Sequence, residues 1–208
     1  MNIYFMYARA LTSLVLVIVL TGCVSIQDIN SGYYRIGKAW QLENQRNEDE
    51  YRYRVIESDP ITVFEATKKT FLALGMPVQS SDLEAGVLFA ENVAPAPLTQ
   101  EEWLEVKRIE SPRLKEIGGQ LFSFPEKPKA FVITVRAQVK PLKGGNVLII
   151  VDHVMSSPEL KRIGVQVTPH APPSAVKFGS AKFWNQLDKE IRARGIAAPQ
   201  KRKWSEES

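Results

Sequence analysis

The sequence predicts an α+β domain in which a mainly antiparallel sheet has amphipathic helices packed on one face. Segments with two-residue alternation of apolar and polar side chains come in neighbouring pairs around Gly- and Pro-rich turns. Other segments repeat their apolar residues at helical spacing. The resulting order, β-α-β-β-(α)-β-β-α, groups strands into hairpins instead of alternating each with a helix, as a doubly wound parallel sheet would.

The composition fits one ordinary domain. Of 208 residues, 44% are hydrophobic, and 27 Lys and Arg against 23 Asp and Glu give a net charge of +4. Wholesale disorder, a collagen-like repeat and a multi-span membrane protein are set aside. A single cysteine leaves no internal disulfide and no Cys-rich zinc site. Two histidines leave little for a His-based metal centre, and no cofactor is implied. The mild positive balance is spread along the chain and forms no nucleic-acid footprint.

Taken in order, Tyr51–Glu57 alternates Tyr51, Tyr53 and Val55 with Arg52, Arg54 and Ile56, as a half-buried strand does. Asp59-Pro60 then opens a helix, with Asp as N-cap and Pro at the first helical position. Ile61, Val63, Phe64, Thr67, Phe71 and Leu74 form its inner side, with Glu65 and Lys69 outside. Gly75 stops it before Met76-Pro77. Met76–Ser80 and Gly86–Asn92 pair as a hairpin across the acidic turn Ser81–Ala85. Thr99 and Glu102 have capping-box spacing, and Leu98 and Trp103 are placed as a hydrophobic staple. That helix is expected to reach Glu110, with Trp103, Val106 and Ile109 as its stripe, before Ser111-Pro112 interrupts it.

Ala130–Lys140 alternates cleanly, Phe131, Ile133, Val135, Ala137 and Val139 on one side. Pro141–Asn146 turns the chain. Val147–Met155 is apolar on both faces at Leu148-Ile149-Ile150-Val151, as a central or helix-covered strand is. Ser156–Pro173 reads as loop, with brief pairing expected at Ile163–Val167. Ser174 is expected to cap a last helix with Val176, Ser180, Phe183, Trp184, Leu187 and Ile191 on one face, ended by Gly195.

Upstream, Met1–Arg9 is short and carries one positive charge, and Ala10–Leu20 is almost wholly apolar. The run is too short to span a bilayer and reads as a secretory signal. It ends in Leu20-Thr21-Gly22-Cys23, which resembles the lipobox of bacterial lipoproteins. The resemblance implies cleavage before Cys23, acylation of its thiol and acylation of the new amino group. It also implies stable membrane attachment through at least two chains. Val24 follows Cys23 where an Asp would retain a lipoprotein at the inner membrane. By that sorting pattern the chain resembles one delivered to the outer membrane of a Gram-negative cell, its domain facing the periplasm.

The domain plan is thus a signal peptide at 1–22, a lipidated N-terminus and tether at 23–50, one α+β domain at 51–195, and a polar tail at 196–208 containing Lys201-Arg202-Lys203. The stretch 24–50 is polar, contains Gly32 and Gly37 and ends in Glu48-Asp49-Glu50, hence the expectation of a tether. Tyr33, Tyr34 and Trp40 within it have two readings, docking on the domain or on a partner.

The run from Arg54 to Asn92, with its strand, helix ending in Leu74-Gly75, strand, acidic turn and Gly86-led strand, resembles a small module of bacterial envelope lipoproteins. The C component of the outer-membrane barrel-assembly machinery contains comparable modules. This implies a fold and says little about activity.

A complete phosphate-loop motif is absent, since Gly32–Lys38 has the glycine and lysine spacing but Ala39 stands where Ser or Thr is needed. Dinucleotide, zinc-protease and nucleophile-elbow motifs are absent from the sequence. Asp152-His153 is the one pair with catalytic potential: with a serine it would serve acyl transfer, and otherwise His153 is a strand-end histidine. His170, between prolines, is expected in an exposed loop. Glu101, Glu102 and Glu105 are weighed as a cation site against helix-terminus electrostatics. Trp103 and Trp184 are read as core anchors.

The function expected is that of a lipid-anchored envelope lipoprotein, a non-enzymatic assembly, accessory or interaction factor meeting the membrane through Cys23 and other envelope proteins through its domain. The alternative is a binding module for a lipid, glycan or small ligand in a sheet–helix groove.

Overall fold

The computed structural model describes residues 25–124, 128–165 and 170–195. Cys23, the signal segment and the 196–208 tail lie outside them. The fold is mixed α+β, with one five-stranded antiparallel sheet and helices packed against it.

The strands are β1 (Tyr53–Glu57), β2 (Val78–Asp82), β3 (Val87–Val93), β4 (Val132–Pro141) and β5 (Asn146–Ser156), and their order across the sheet is β1-β5-β4-β3-β2. The Gly86 carbonyl accepts from the Val139 amide at 2.8 Å. With φ +65°, and a Cβ site that would strike the Val139 carbonyl, Gly86 must be glycine. Inner-face positions Ile133, Val135, Ala137 and Val139 of β4 and Val147, Ile149, Val151 and Met155 of β5 are buried, as their alternation predicts. Leu148, on the opposite face of β5, is buried too.

The helices are α1 (Ile26–Arg46), α2 (Glu48–Tyr51), α3 (Pro60–Ala73), α4 (Gln100–Gly118), α5 (Pro158–Arg162) and α6 (Pro173–Arg192). α3 packs along α6 and contacts β4, so the first and last helices of the predicted set do share one face. α4 packs on α6, and α1 packs on α4. Asp59 caps α3 by accepting the Thr62 amide at 2.8 Å. The inner side of α3 is Val63, Phe64, Ala66, Thr67, Thr70 and Phe71, whereas Ile61 is 60% exposed. Thr99 and Glu102 form the predicted capping box on α4. Trp103 and Trp184 are both buried, and Arg54 stacks 4.7 Å from the Trp184 ring while pairing with Asp188 at 3.0 Å.

Four expectations are corrected. First, residues 26–46 are a docked helix and not a tether. Ser25 and Asp28 form a capping box, and Gly32, Ile36, Gly37 and Trp40 are buried at helical spacing. Gly32 and Gly118 leave a slot between α1 and α4 that the Phe122 ring fills. Tyr33 meets that ring edge-on at 5.2 Å, while Tyr34 faces outward. The domain therefore begins at α1 and not at residue 51.

Second, α4 runs through Pro112 to Gly118. The proline lies on the exposed side, and Ser111 Oγ donates to the Lys107 carbonyl at 2.7 Å. The opposite stripe of Trp103, Val106, Glu110, Leu114 and Gly118 stays buried. Continuous burial along that stripe outweighs roughly 3 kcal/mol of proline cost. Ile109 is displaced from the stripe to its margin by Glu110.

Third, Ser174 does not cap α6. The helix starts at Pro173 behind Pro172, which supplies no side-chain acceptor. The acceptor comes from α4: the fully buried Glu110 carboxylate takes the Ser174 amide at 3.1 Å and its hydroxyl at 2.6 Å. Arg113 donates to both Glu110 oxygens at 3.3 Å and reaches Glu43 of α1. One ionic chain thus joins α1, α4 and α6.

Fourth, Ser156–Pro173 is not simply loop. It contains α5. The pairing expected at Ile163–Val167 is not seen at Ile163–Val165, which are turn and coil, and residues 166–169 lie outside the described residues. An isolated bridge joins His170 to Val154 instead.

Candidate functional site

A cleft of about 320 Å³ opens where the C-terminal part of α1 passes over β5. Gln41, Asn44 and Gln45 line one wall, Glu48, Tyr51 and Arg52 a second, and Asp152, His153 and His170 the floor. The walls exist because α1 is docked: Asn44 Nδ2 donates to the Ala171 carbonyl at 3.0 Å, tying the helix to the segment that precedes α6.

The charges in the cleft are paired with one another, one arginine between two carboxylates, which leaves one negative charge in excess. Arg52 donates through Nε to Asp152 at 2.6 Å and through Nη1 to Glu48 at 2.8 Å and to the Tyr53 hydroxyl at 2.8 Å. Burial pushes the Tyr53 hydroxyl above its ordinary pKa, with Arg52 opposing the shift and Glu48 and Asp152 adding to it. What the cleft offers a visitor is chiefly amide and imidazole groups, each able to donate and accept.

Asp152 and His153 are adjacent on β5, so their side chains leave the sheet on opposite faces. Asp152 turns to Arg52, and His153 turns toward the helices, sharing an apolar nook with Ile133, Met155, Ala171 and Val176. The two do not form a hydrogen-bonded pair among the described residues, and no Ser, Thr or Cys lines the cleft. The acyl-transfer arrangement considered from the sequence is not assembled there. Burial drives the His153 pKa down to about 4, with Asp152 opposing the shift. His170 is half-buried and its pKa is also lowered by burial, which corrects the expectation of an exposed loop histidine.

His153 predicts a pH dependence. The unfolded imidazole takes its proton near pH 6.5 and the folded one near 4. Between these values the unfolded chain binds more protons, so stability is complete above the upper value and falls as pH drops toward the lower. With allowance for the ring's contact with the cleft, the loss is about 2 kcal/mol. Urea denaturation at pH 7 and 4.5 is expected to show this difference in excess over His153→Gln, which lacks the titrating group.

The remaining sequence candidates have structural roles. Glu102 accepts from Lys182 of α6 at 2.7 Å, and Glu105 pairs with Arg108 at 2.6 Å. Among the described residues no cluster of three His, Cys, Asp or Glu could hold a metal ion. Cys23 and Lys201-Arg202-Lys203 lie outside the described residues. The cleft amides were missed because they fall in the stretch read as a tether, although Ile29, Tyr33, Ile36 and Trp40 carry a helical spacing there.

No protein-family model and no curated protein matches the chain.

Proposed function

We propose that the protein is a lipid-anchored cell-envelope lipoprotein, delivered to the outer membrane, that acts as a non-enzymatic assembly, accessory or interaction factor. The observation that carries this is the Leu20-Thr21-Gly22-Cys23 sequence set directly against a folded body. The α1 cap, Ser25, is two residues beyond Cys23, so cleavage before the cysteine would remove the signal and leave the domain intact. The weak module resemblance of Arg54–Asn92 is compatible with this reading. A surface for partners is available on the sheet face away from the helices, where Phe89, Val93 and Val154 are exposed.

Cys23→Ser in the full chain tests the anchor. It is expected to leave an uncleaved precursor without acyl chains and to move the protein out of the outer-membrane fraction. Unchanged size and unchanged fractionation would contradict the proposal. A photoreactive residue at Phe89 tests the partner surface: discrete cross-linked species in native membranes support it, and only uncross-linked protein counts against it.

The cleft favours a second reading, a binding module for a polar, largely uncharged ligand such as a glycan. Its amides and two imidazoles match hydroxyl-rich groups, and its internally paired charges would not demand a charged one. The chain has two histidines, both in the cleft, so two imidazole NMR signals report on it. Perturbation of both by envelope oligosaccharides supports this reading; perturbation of neither removes it.

A further inference from the structure

The fold gathers three exposed apolar side chains from distant parts of the sequence at one end of the molecule. Ile26 is 50% exposed, Leu121 70% and Ile163 63%. Ile26 opens α1, and its Cδ1 lies 3.6 Å from the Cβ site of Gly164, next to Ile163. Asn30 Nδ2 donates to the Gly164 carbonyl at 3.5 Å. On the other side of α1, Arg35 donates to the Ile117 and Gly118 carbonyls at 3.0 and 2.9 Å. That fixes the turn carrying Leu121 beside Asp28 and Ile29.

This end is where the chain leaves toward Cys23. Two residues of backbone reach at most about 7 Å, so the Cys23 sulfur is tied close to the first turn of α1. Beside Ile163 the charges fit an anionic surface, whereas at the α1 end Asp28 keeps its negative charge. Lys161 and Arg162 stand exposed immediately before Ile163, with Glu159 one turn back. The Asp28 carboxylate is occupied by the Ser25 amide and hydroxyl, at 3.1 and 2.7 Å.

We propose that this end of the domain docks on the bilayer, with Ile26, Leu121 and Ile163 entering the interfacial layer and Lys161 and Arg162 meeting lipid phosphates. The proposal rests on acylation of Cys23. Acyl chains bring the surface to the membrane, and the apolar and basic groups hold it there in one orientation. Gln41 of the cleft then lies about 22 Å along α1 from Ile26, clear of the lipid.

The test uses the full, acylated chain in vesicles of phosphatidylethanolamine and phosphatidylglycerol. Leu121→Cys and Ile163→Cys each carry a nitroxide label, and Leu83→Cys serves as reference. Leu83 lies in the β2–β3 turn, at the opposite end of the strands from Ser156 and α5. Labels at 121 and 163 are expected to be shielded from a water-soluble relaxation agent roughly tenfold relative to the label at 83. Acylated protein in which all three labels are equally aqueous would overturn the docking alone. Protein whose intact mass lacks acyl chains would overturn the anchor and the docking with it.

Discussion

Glu110→Ala is expected to lower the melting temperature by roughly 8–16 °C, equivalent to about 3–5 kcal/mol in a domain of this size. The carboxylate is fully buried, yet it is the acceptor for the first turn of α6, where Pro172 supplies none. Its removal leaves the Ser174 amide and hydroxyl buried without their acceptor. It also breaks the chain through Arg113 to Glu43 that joins α1 to α4 and α6. A negative group at a helix N-terminus is favoured by the dipole as well, so a neutral acceptor recovers part of the effect. Glu110→Gln is therefore expected to lose clearly less than the alanine variant. Thermal unfolding followed by circular dichroism checks both. Equal losses would mean that the negative charge paired with Arg113, and not an acceptor of that size, sets the cost.

Gly32→Leu is expected to release α1 from the domain, at a cost of about 3 kcal/mol. Even a methyl group at Gly32 would occupy the space of the Phe122 ring, and that ring is also held against Gly118. A branched side chain there must expel the ring from between the helices or force the helices apart. The expected signature is rapid proteolytic cleavage within residues 26–46 while the sheet and α6 remain resistant. Hydrogen exchange should show the same division, with the α1 amides losing protection. Cleft amides Asn44 and Gln41 would leave with α1, so any ligand response at His153 and His170 should be lost as well.

These two residues also mark where sequence reasoning stopped. The strands were legible because alternation is a local property: β4 and β5 lie within a residue or two of the segments read from their periodicity. The caps at Asp59 and Thr99 were legible because each acceptor sits three residues from its donor. Glu110 was illegible because its partner is 64 residues away, and an acid in a helix stripe gives no sign that it will be buried. α1 was obscured by its glycines and polar residues, which resemble a linker until the Phe122 ring is seen filling the space the glycines leave. Pro112 looked like a stop because its local cost is evident, whereas the burial on the opposite face depends on α6 and α1.

The candidate site divides the same way. Asp152-His153 stood out as a pair, but strand alternation sends the two side chains apart. The partner of Asp152 is Arg52, 100 residues away in the chain. His170 reached the cleft by pairing with Val154, which its proline-rich surroundings did not announce.

Intact-mass spectrometry of the full chain extracted from native membranes tests the lipid anchor most directly. The account predicts a polypeptide that begins at Cys23 and carries the added mass of acyl chains on its thiol and its amino group. A polypeptide that still begins at Met1, or one with an unmodified Cys23, would contradict it.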